Sequence, residues 1–267
     1  MGKGIAVVTG ASSGLGKVYA DRLAKRGYDV LLVARRKERL ESLSTEIEGK
    51  YGVRSEFLVA DLGNEADLKR VYERLASDEK ITMLVNNAGT ALNGPAFQLP
   101  LEAIDGFINV NTRAVTWLSR AVLPRFMKNN EGTLINIGSV FAFFNVPGAT
   151  PYAGSKADVM MFTMGVQAES AGTKVRIQLV LPAGVGTEIW DVAGIGVDAL
   201  DPATVMTTEN CVDAALAGLD MGELVTLPSV EDPTLWMAFD EARTRMFLAS
   251  NTGKPASRYG LKKTVEV

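Results

Sequence analysis

Residues 7–17 read Val7-Val8-Thr9-Gly10-Ala11-Ser12-Ser13-Gly14-Leu15-Gly16-Lys17, an apolar run that breaks into a glycine-rich turn before a helix-forming stretch. Such a turn can cradle phosphate, because glycines admit close backbone approach and the N–H groups of the following helix meet the anion. A nucleoside-triphosphate loop needs G-x-x-x-x-G-K followed by Ser or Thr. Counting back from Gly16-Lys17, the first glycine falls on Ala11, and the residue after Lys17 is Val18 rather than a hydroxyl. Both requirements fail. The spacing Gly10-x3-Gly14-x-Gly16 is instead a variant of the dinucleotide pattern G-x-G-x-x-G. The same residues also suit a tight strand-to-helix turn that binds nothing.

Outward from that turn, apolar runs and helix-periodic stretches alternate along the chain. Strands are predicted near residues 5–9, 28–33, 54–59, 82–85, 133–137, 174–181 and 224–227. Helices are predicted near 15–26, 37–48, 65–76, 101–127, 152–171, 209–220 and 233–249. The strands are continuous apolar runs, as expected when both faces of a sheet are covered. The fold class is therefore α/β: a single-domain doubly wound Rossmann fold, with a parallel seven-stranded sheet and helices on both faces. One domain is expected over residues 1–250, with a polar tail at 251–267. The irregular stretch at 187–208, holding Ile189, Trp190, Val192 and Ile195, suits a lid.

Composition narrows the chemistry. Of 267 residues, 47% are hydrophobic and 22% charged, an ordinary globular balance. The formal net charge of −3 gives no electrostatic case for nucleic acid or an anionic membrane surface. No apolar run reaches the roughly 20 residues that span a bilayer. The first strand follows Met1 within four residues, which leaves no room for a signal peptide. The single cysteine, Cys211, permits no internal disulfide. A cytoplasmic location is the expectation. There are no histidines. That removes Ser-His-Asp and Cys-His hydrolases, H-E-x-x-H metalloproteases and most catalytic zinc sites, and no metal is expected. Proton chemistry falls to Tyr, Lys, Asp, Glu or Cys.

The end of the second strand bears on the cofactor. An NAD site places an acid there for the ribose 2′-hydroxyl, whereas an NADP site favours Arg near the 2′-phosphate. Here Val33 is followed by Ala34-Arg35-Arg36-Lys37. Arg35 is the first candidate for the phosphate and Arg36 for stacking on or flanking the adenine, since a guanidinium offers phosphate a planar fork of donors. A solvated basic helix start is the plainer alternative. Further on, Tyr152-Ala153-Gly154-Ser155-Lys156 opens a helix after Thr150-Pro151, a cap followed by proline at the first helical position. The spacing of four makes Tyr152 and Lys156 neighbours on one face. A nearby ammonium is expected to lower the phenol below its usual value near 10, toward acid–base use. Ser139 ends the preceding strand, thirteen residues upstream, at the carboxyl edge of the sheet, where such folds bind ligands. Asn86-Asn87-Ala88-Gly89 ends the strand before that, and Asn111 lies on the long helix between them. A backbone-fixing role is the ordinary reading of Asn87 and Asn111.

Taken together, these residues resemble the short-chain dehydrogenases/reductases in their compact branch. The motif T-G-x-x-x-G-x-G falls on Thr9 to Gly16, D-[LV] on Asp61-Leu62, and N-N-A-G on Asn86 to Gly89. The helix asparagine falls on Asn111, the serine on Ser139, and Y-x-x-x-K on Tyr152 and Lys156. Pro182-Ala183-Gly184-Val185-Gly186-Thr187 is similar to the family's P-G-x-x-x-T segment, with Ala183 in place of the usual glycine. The resemblance implies that Tyr152 is the general acid and that Ser139 orients the carbonyl oxygen. Lys156 would bind the nicotinamide ribose and lower the Tyr152 pKa, and Asn111 would hold a water that resupplies the proton. It implies an NADP(H) site made of Gly10, Ser12, Ser13, Gly14, Leu15, Gly16, Arg35, Arg36, Asp61, Leu62, Asn87, Ala88, Gly89, Tyr152, Lys156, Pro182, Gly184, Val185 and Thr187.

Between Ser139 and Tyr152, the side chains of Phe141, Phe143, Phe144 and Val146 could line one wall of a substrate pocket, opposite Ile189 and Trp190. Aromatic walls suit an uncharged apolar or aromatic ketone or aldehyde. The expected activity is an NADPH-dependent carbonyl reductase, reversible as an alcohol dehydrogenase. The alternatives are a sugar-nucleotide epimerase or dehydratase, which the Gly14-x-Gly16 spacing disfavours, and an NADP(H)-binding sensor or scaffold without turnover. The family implies a homo-oligomer, a tetramer or dimer, through the helices at 101–127 and 152–171. Trp117, Phe126, Met160, Met161, Phe162 and Met164 would supply either that contact or the core.

Overall fold

The computed structural model describes residues 2–196 and 201–261. Strand β1 (Ile5–Thr9) is buried at all five residues. It pairs in parallel with β2 (Asp29–Ala34) on one side and β4 (Ile81–Asn86) on the other. With β3 (Ser55–Val59), β5 (Thr133–Ile137), β6 (Arg176–Val180) and the short β7 (Val225–Thr226), these form one sheet in the order β3-β2-β1-β4-β5-β6-β7. Every ladder is parallel. The predicted seven-stranded doubly wound sheet is the fold observed.

Alternate strand residues feed two cores, one on each face. On one face Ala6, Val8, Leu32 and Ile135 pack with Leu23 of α1 (Gly14–Lys25), Leu40 of α2 (Lys37–Tyr51) and Leu216 of α8 (Thr208–Met221). On the other, Val7, Leu31, Leu84 and Leu134 pack with Val71 of α3 (Glu65–Ser77) and Leu118 of α5 (Ala114–Asn129). Val166 of α6 (Thr150–Glu169) joins that second face.

Three predictions need amending. The helix expected at 101–127 is α4 (Leu101–Ile108), a π turn at Asn109–Arg113, and α5. Thr150 is the first residue of α6 rather than its cap, a place taken by Ala149. Within the expected lid, α7 spans only Ile189–Val192, and positions 197–200 lie outside the described residues. Of the side chains considered for self-association, Phe126 and Met160 are buried in the core and Trp117 packs edge-on against Tyr72 at 6.2 Å. Among the described residues, no helix is long and apolar enough to cross a membrane. The chain forms two compact units, Met1–Ser229 and Val230–Val267, whereas the sequence reading drew its line after residue 250. The second unit carries α9 (Thr234–Ser250).

Candidate active site

The carboxyl ends of β1 and β4, where the strand order reverses, are tied side by side. Thr9 Oγ1 accepts the backbone N–H groups of Asn87 and Ala88, each at 3.0 Å, and Asn87 Nδ2 donates to the Thr9 carbonyl at 2.9 Å. That tie dictates the glycines. Gly10 has φ +68, and a Cβ there would lie 2.8 Å from Asn87 Nδ2. A Cβ on Gly16 would land on the Gly10 carbonyl oxygen. No side chain caps the N-terminus of α1, so its first N–H groups face the cleft as anion donors. The cradle that a side chain would fill, together with this uncapped terminus, fits a pyrophosphate.

Arg36 is planted on the turn. Its Nη2 donates to Ser13 Oγ at 2.6 Å and to Ser12 Oγ at 2.9 Å. Arg35 is exposed and lines the same cleft. The sequence reading missed Glu188, whose carboxylate bridges Arg36 and Arg39, each at 2.6 Å. Hydrogen bonds from the two guanidiniums hold it down to about 2. No local pattern could have revealed a partner 152 residues away.

Ser139 follows β5 and is buried; its Oγ accepts the Phe141 N–H at 3.2 Å. The Tyr152 phenol lies beside the Ser139 hydroxyl, whose own donation goes to the Pro182 carbonyl at 3.4 Å. One turn later Lys156 is buried, with Nζ 5.6 Å from the Tyr152 ring centre and donating to the Ile137 carbonyl at 2.9 Å. Phe141 meets the Tyr152 ring edge-on at 5.7 Å, and Phe107, another residue missed from sequence, lies 6.5 Å away. Here an expectation fails. Burial pushes the Tyr152 phenol up to about 12, against the opposing pull of the Ser139 hydroxyl. Burial likewise pushes Lys156 down to about 8. Desolvation of the charged forms outweighs the attraction that the helix spacing suggested.

A buried polar ladder underlies this corner. Asn86 Nδ2 donates to Asn136 Oδ1 at 2.9 Å and to Ser119 Oγ at 3.0 Å, and Asn136 Nδ2 donates to Thr163 Oγ1 at 2.9 Å. It pins β4 and β5 to α5 and α6. Asn111 does similar work from the π turn. Its Oδ1 accepts the Thr90 N–H at 2.9 Å, while Nδ2 donates to the Thr90 carbonyl at 2.9 Å and to Ser155 Oγ at 3.3 Å. Both amide hydrogens are thus committed to protein, and the side chain fixes the Thr90 backbone.

One cleft of about 990 Å³ joins these parts. It is lined by Gly10, Ser12, Ser13, Gly14, Leu15, Arg35, Arg36, Asp61, Leu62, Asn87, Ala88 and Gly89 toward one end. Ser139, Tyr152, Lys156, Pro182, Val185 and Thr187 line it toward the other. Gly16, Asn111 and Gly184 do not line it; each stands behind the wall. At Gly184 a Cβ would lie 2.8 Å from the Thr204 carbonyl oxygen, so glycine lets the 3-10 turn Pro202–Thr204 pass close by. Beyond Tyr152 the lining turns apolar, with Leu92, Phe107, Phe141, Val146, Ile189 and Trp190. Trp190 is fixed by its indole N–H on the Val185 carbonyl at 2.8 Å. Phe143 and Phe144 are not part of this wall and are 40% and 66% exposed, because the chain turns outward after the 3-10 turn Val140–Ala142.

Comparison with known proteins agrees with this geometry. The family model described as short chain dehydrogenase matches residues 4–195. A short-chain dehydrogenase from Sphingobium yanoikuyae, in complex with NADPH, superposes with a TM-score of 0.93 at 42% identity, covering 96% of this chain and 99% of that one. The bulky-bulky ketone specific alcohol dehydrogenase from Comamonas testosteroni gives 0.88 at 36%, covering 96% and 98%. The very-long-chain 3-oxoacyl-CoA reductase-B of Danio rerio is 36% identical over 220 residues, 81% of this chain and 68% of that protein. This chain spans about two thirds of the length of such curated relatives. It belongs to the short-chain dehydrogenase/reductase family.

Proposed function

We propose that the protein is an NADPH-dependent reductase that converts an uncharged ketone or aldehyde with bulky apolar or aromatic arms into the alcohol, and that also runs in reverse. The observation carrying this reading is the placement of Ser139 and Tyr152 together, with Lys156 beside the ring, in the same cleft as the glycine cradle. The coenzyme would be held by the turn from Gly10 to Leu15 along its pyrophosphate. Arg35 and Arg36 would meet the 2′-phosphate, Asp61 and Leu62 the adenine, and Asn87 to Gly89 the adenosine ribose. Pro182, Val185 and Thr187 would sit at the nicotinamide end, with Gly184 shaping the backbone behind them. Bound there, NADPH supplies hydride. Tyr152, kept protonated by burial, donates its proton to the carbonyl oxygen, and Ser139 donates a hydrogen bond that orients the same oxygen. Lys156 holds ribose hydroxyls through its ammonium. Asn111 acts by positioning Thr90 and the adjoining Gly89.

The NADPH complex of the Sphingobium relative and the ketone specificity of the Comamonas relative support this reading. The apolar far end of the cleft supports it further. Among the described residues lining that half, Lys156 is the only cation, which disfavours the phosphates of a coenzyme A thioester. The test is NADPH absorbance with diaryl and aryl-alkyl ketones and a 3-oxoacyl-CoA, run with NADPH and with NADH. Ketone turnover that falls about 10²–10⁴-fold in Tyr152→Phe, with NADPH binding retained, is the expected result. Binding without turnover of any carbonyl would leave the sensor or scaffold reading, and turnover of the thioester alone would replace the ketone assignment.

A further inference from the structure

Glu188 caps α7, and its carbonyl accepts the Val192 N–H at 3.2 Å. Its side chain leaves the lid altogether. The carboxylate gives one oxygen to Arg36 and the other to Arg39, each at 2.6 Å. Among the described residues, every other hydrogen bond of 187–196 stays within 185–196. None of the four residues of α7 is buried, so packing does little to hold that turn in place.

The tie lands on the coenzyme end of the cleft. Arg36 caps α2 and Arg39 is its third residue, so the two share a face. Arg36 commits Nε and Nη2 to Ser12 and Ser13 of the glycine turn, and Nη1 to Glu188. Thr187, next to Glu188, lies over the same turn: a Cβ on Gly14 would be 3.2 Å from Thr187 Cγ2. An anion thus stands between two guanidiniums beside the cradle, and that anion belongs to the lid.

We propose that Glu188 is a latch released by the coenzyme's 2′-phosphate: its carboxylate occupies the Arg36–Arg39 site, and a phosphate arriving there displaces it and frees α7. The inference rests on the NADP(H) reading above. A phosphate brings nearly two charges and three acceptor oxygens against one charge and two oxygens, so it wins the guanidinium in competition. With that dianion on Arg36, the Glu188 carboxylate faces a like charge and loses its tie. Ile189 and Trp190 of α7 line the apolar end of the cleft. The phosphate is therefore read at one end and felt at the other. NADPH loosens the wall against which the ketone packs, whereas NADH, with a hydroxyl in that place, leaves it latched.

Hydrogen exchange followed by mass spectrometry tests this on the full chain without turnover. The probes are adenosine 2′,5′-bisphosphate, which offers the 2′-phosphate with no nicotinamide to touch the lid, and 5′-AMP, which lacks that phosphate. Exchange at residues 187–196 should rise about two- to fivefold with the bisphosphate, as loss of a half-exposed ion pair allows, and stay unchanged with 5′-AMP. Glu188→Gln should exchange that fast before any nucleotide is added and respond to neither, while its sheet strands exchange as in wild type. Calorimetry shows that each nucleotide is bound. Bisphosphate that binds without loosening 187–196, equal loosening by 5′-AMP, or a Glu188→Gln lid that exchanges at the wild-type rate would overturn the latch and leave the coenzyme reading standing. A chain that binds neither the bisphosphate nor NADPH would overturn the coenzyme reading and the latch with it.

Discussion

A buried ammonium is costly, and Lys156 sits where that cost is largest. Its folded value near 8 lies below the ordinary 10.5. The unfolded chain therefore takes up the extra proton between about pH 8 and 10.5, so stability rises with pH across that window and the penalty is in full force below it. The difference corresponds to about 3 kcal/mol. Lys156→Met removes the charge but leaves the Ile137 carbonyl without its donor, which costs about 1 kcal/mol. The variant should therefore be more stable than wild type by about 2 kcal/mol at pH 7, lose that advantage by about pH 10.5, and lose turnover at every pH. Urea unfolding at the two pH values checks this; a destabilised variant at pH 7 would show that the ammonium is better solvated than its burial indicates. The pairing of Tyr152 with Lys156 was legible in the sequence, because a spacing of four fixes it. The direction of the phenol's shift was not, because it depends on Phe107 and Phe141, which reach the ring from other elements.

Elements gave up their existence more readily than their irregularities. Strands β1, β4 and β5 were readable as apolar runs, and the glycine turn as a break in one of them. The π turn at Asn109–Arg113 was not; within it Asn111 clamps Thr90, 21 residues upstream, a contact no local pattern announces. Replacing Asn111 by Leu strands a backbone donor and acceptor at Thr90 at about 1–3 kcal/mol for each group. We expect a fall in thermal midpoint and a fall in kcat larger than the rise in NADPH Kd, because the coenzyme cradle at β1 is untouched. Equal losses in both would instead mean that the whole cleft collapses. Between elements, Glu188 ties the entry to α7 to Arg36 and Arg39. If Arg36 serves the 2′-phosphate, this carboxylate competes with it. Glu188→Gln should then tighten NADPH binding by up to about fivefold, since a half-exposed ion pair is worth up to about 1 kcal/mol. The gain should shrink at high salt. Fluorescence titration at two salt concentrations measures it, and weaker binding would mean that Glu188 holds Arg36 in place rather than blocking it.

At the scale of the molecule, the parallel sheet was legible because covering both of its faces leaves strands apolar throughout, and Val7 and Val8 feed opposite cores. The site was legible where motif and strand end coincide, at Gly10, Asn87 and Ser139. Gly16, Asn111 and Gly184 were legible as motif positions too; that they stand behind the wall was not, since it depends on their fit against Gly10, Thr90 and Thr204. The coenzyme reading makes a claim on the stability of the whole domain. A ligand that binds only the folded chain, at a hundred times its Kd, stabilises it by about 2.7 kcal/mol. In a domain of this size that raises the thermal midpoint by roughly 5–10 °C. The turn at Gly10–Leu15 meets features shared by both dinucleotides, whereas Arg35 and Arg36 have a phosphate to meet only in NADPH. At equal concentration NADPH should therefore raise the midpoint more than NADH. Arg35→Ala combined with Arg36→Ala should bring the NADPH shift down to the NADH one without changing the latter. Loss of both shifts would assign the arginines to the turn itself, through Ser12 and Ser13, and equal shifts in wild type would remove the 2′-phosphate from the account.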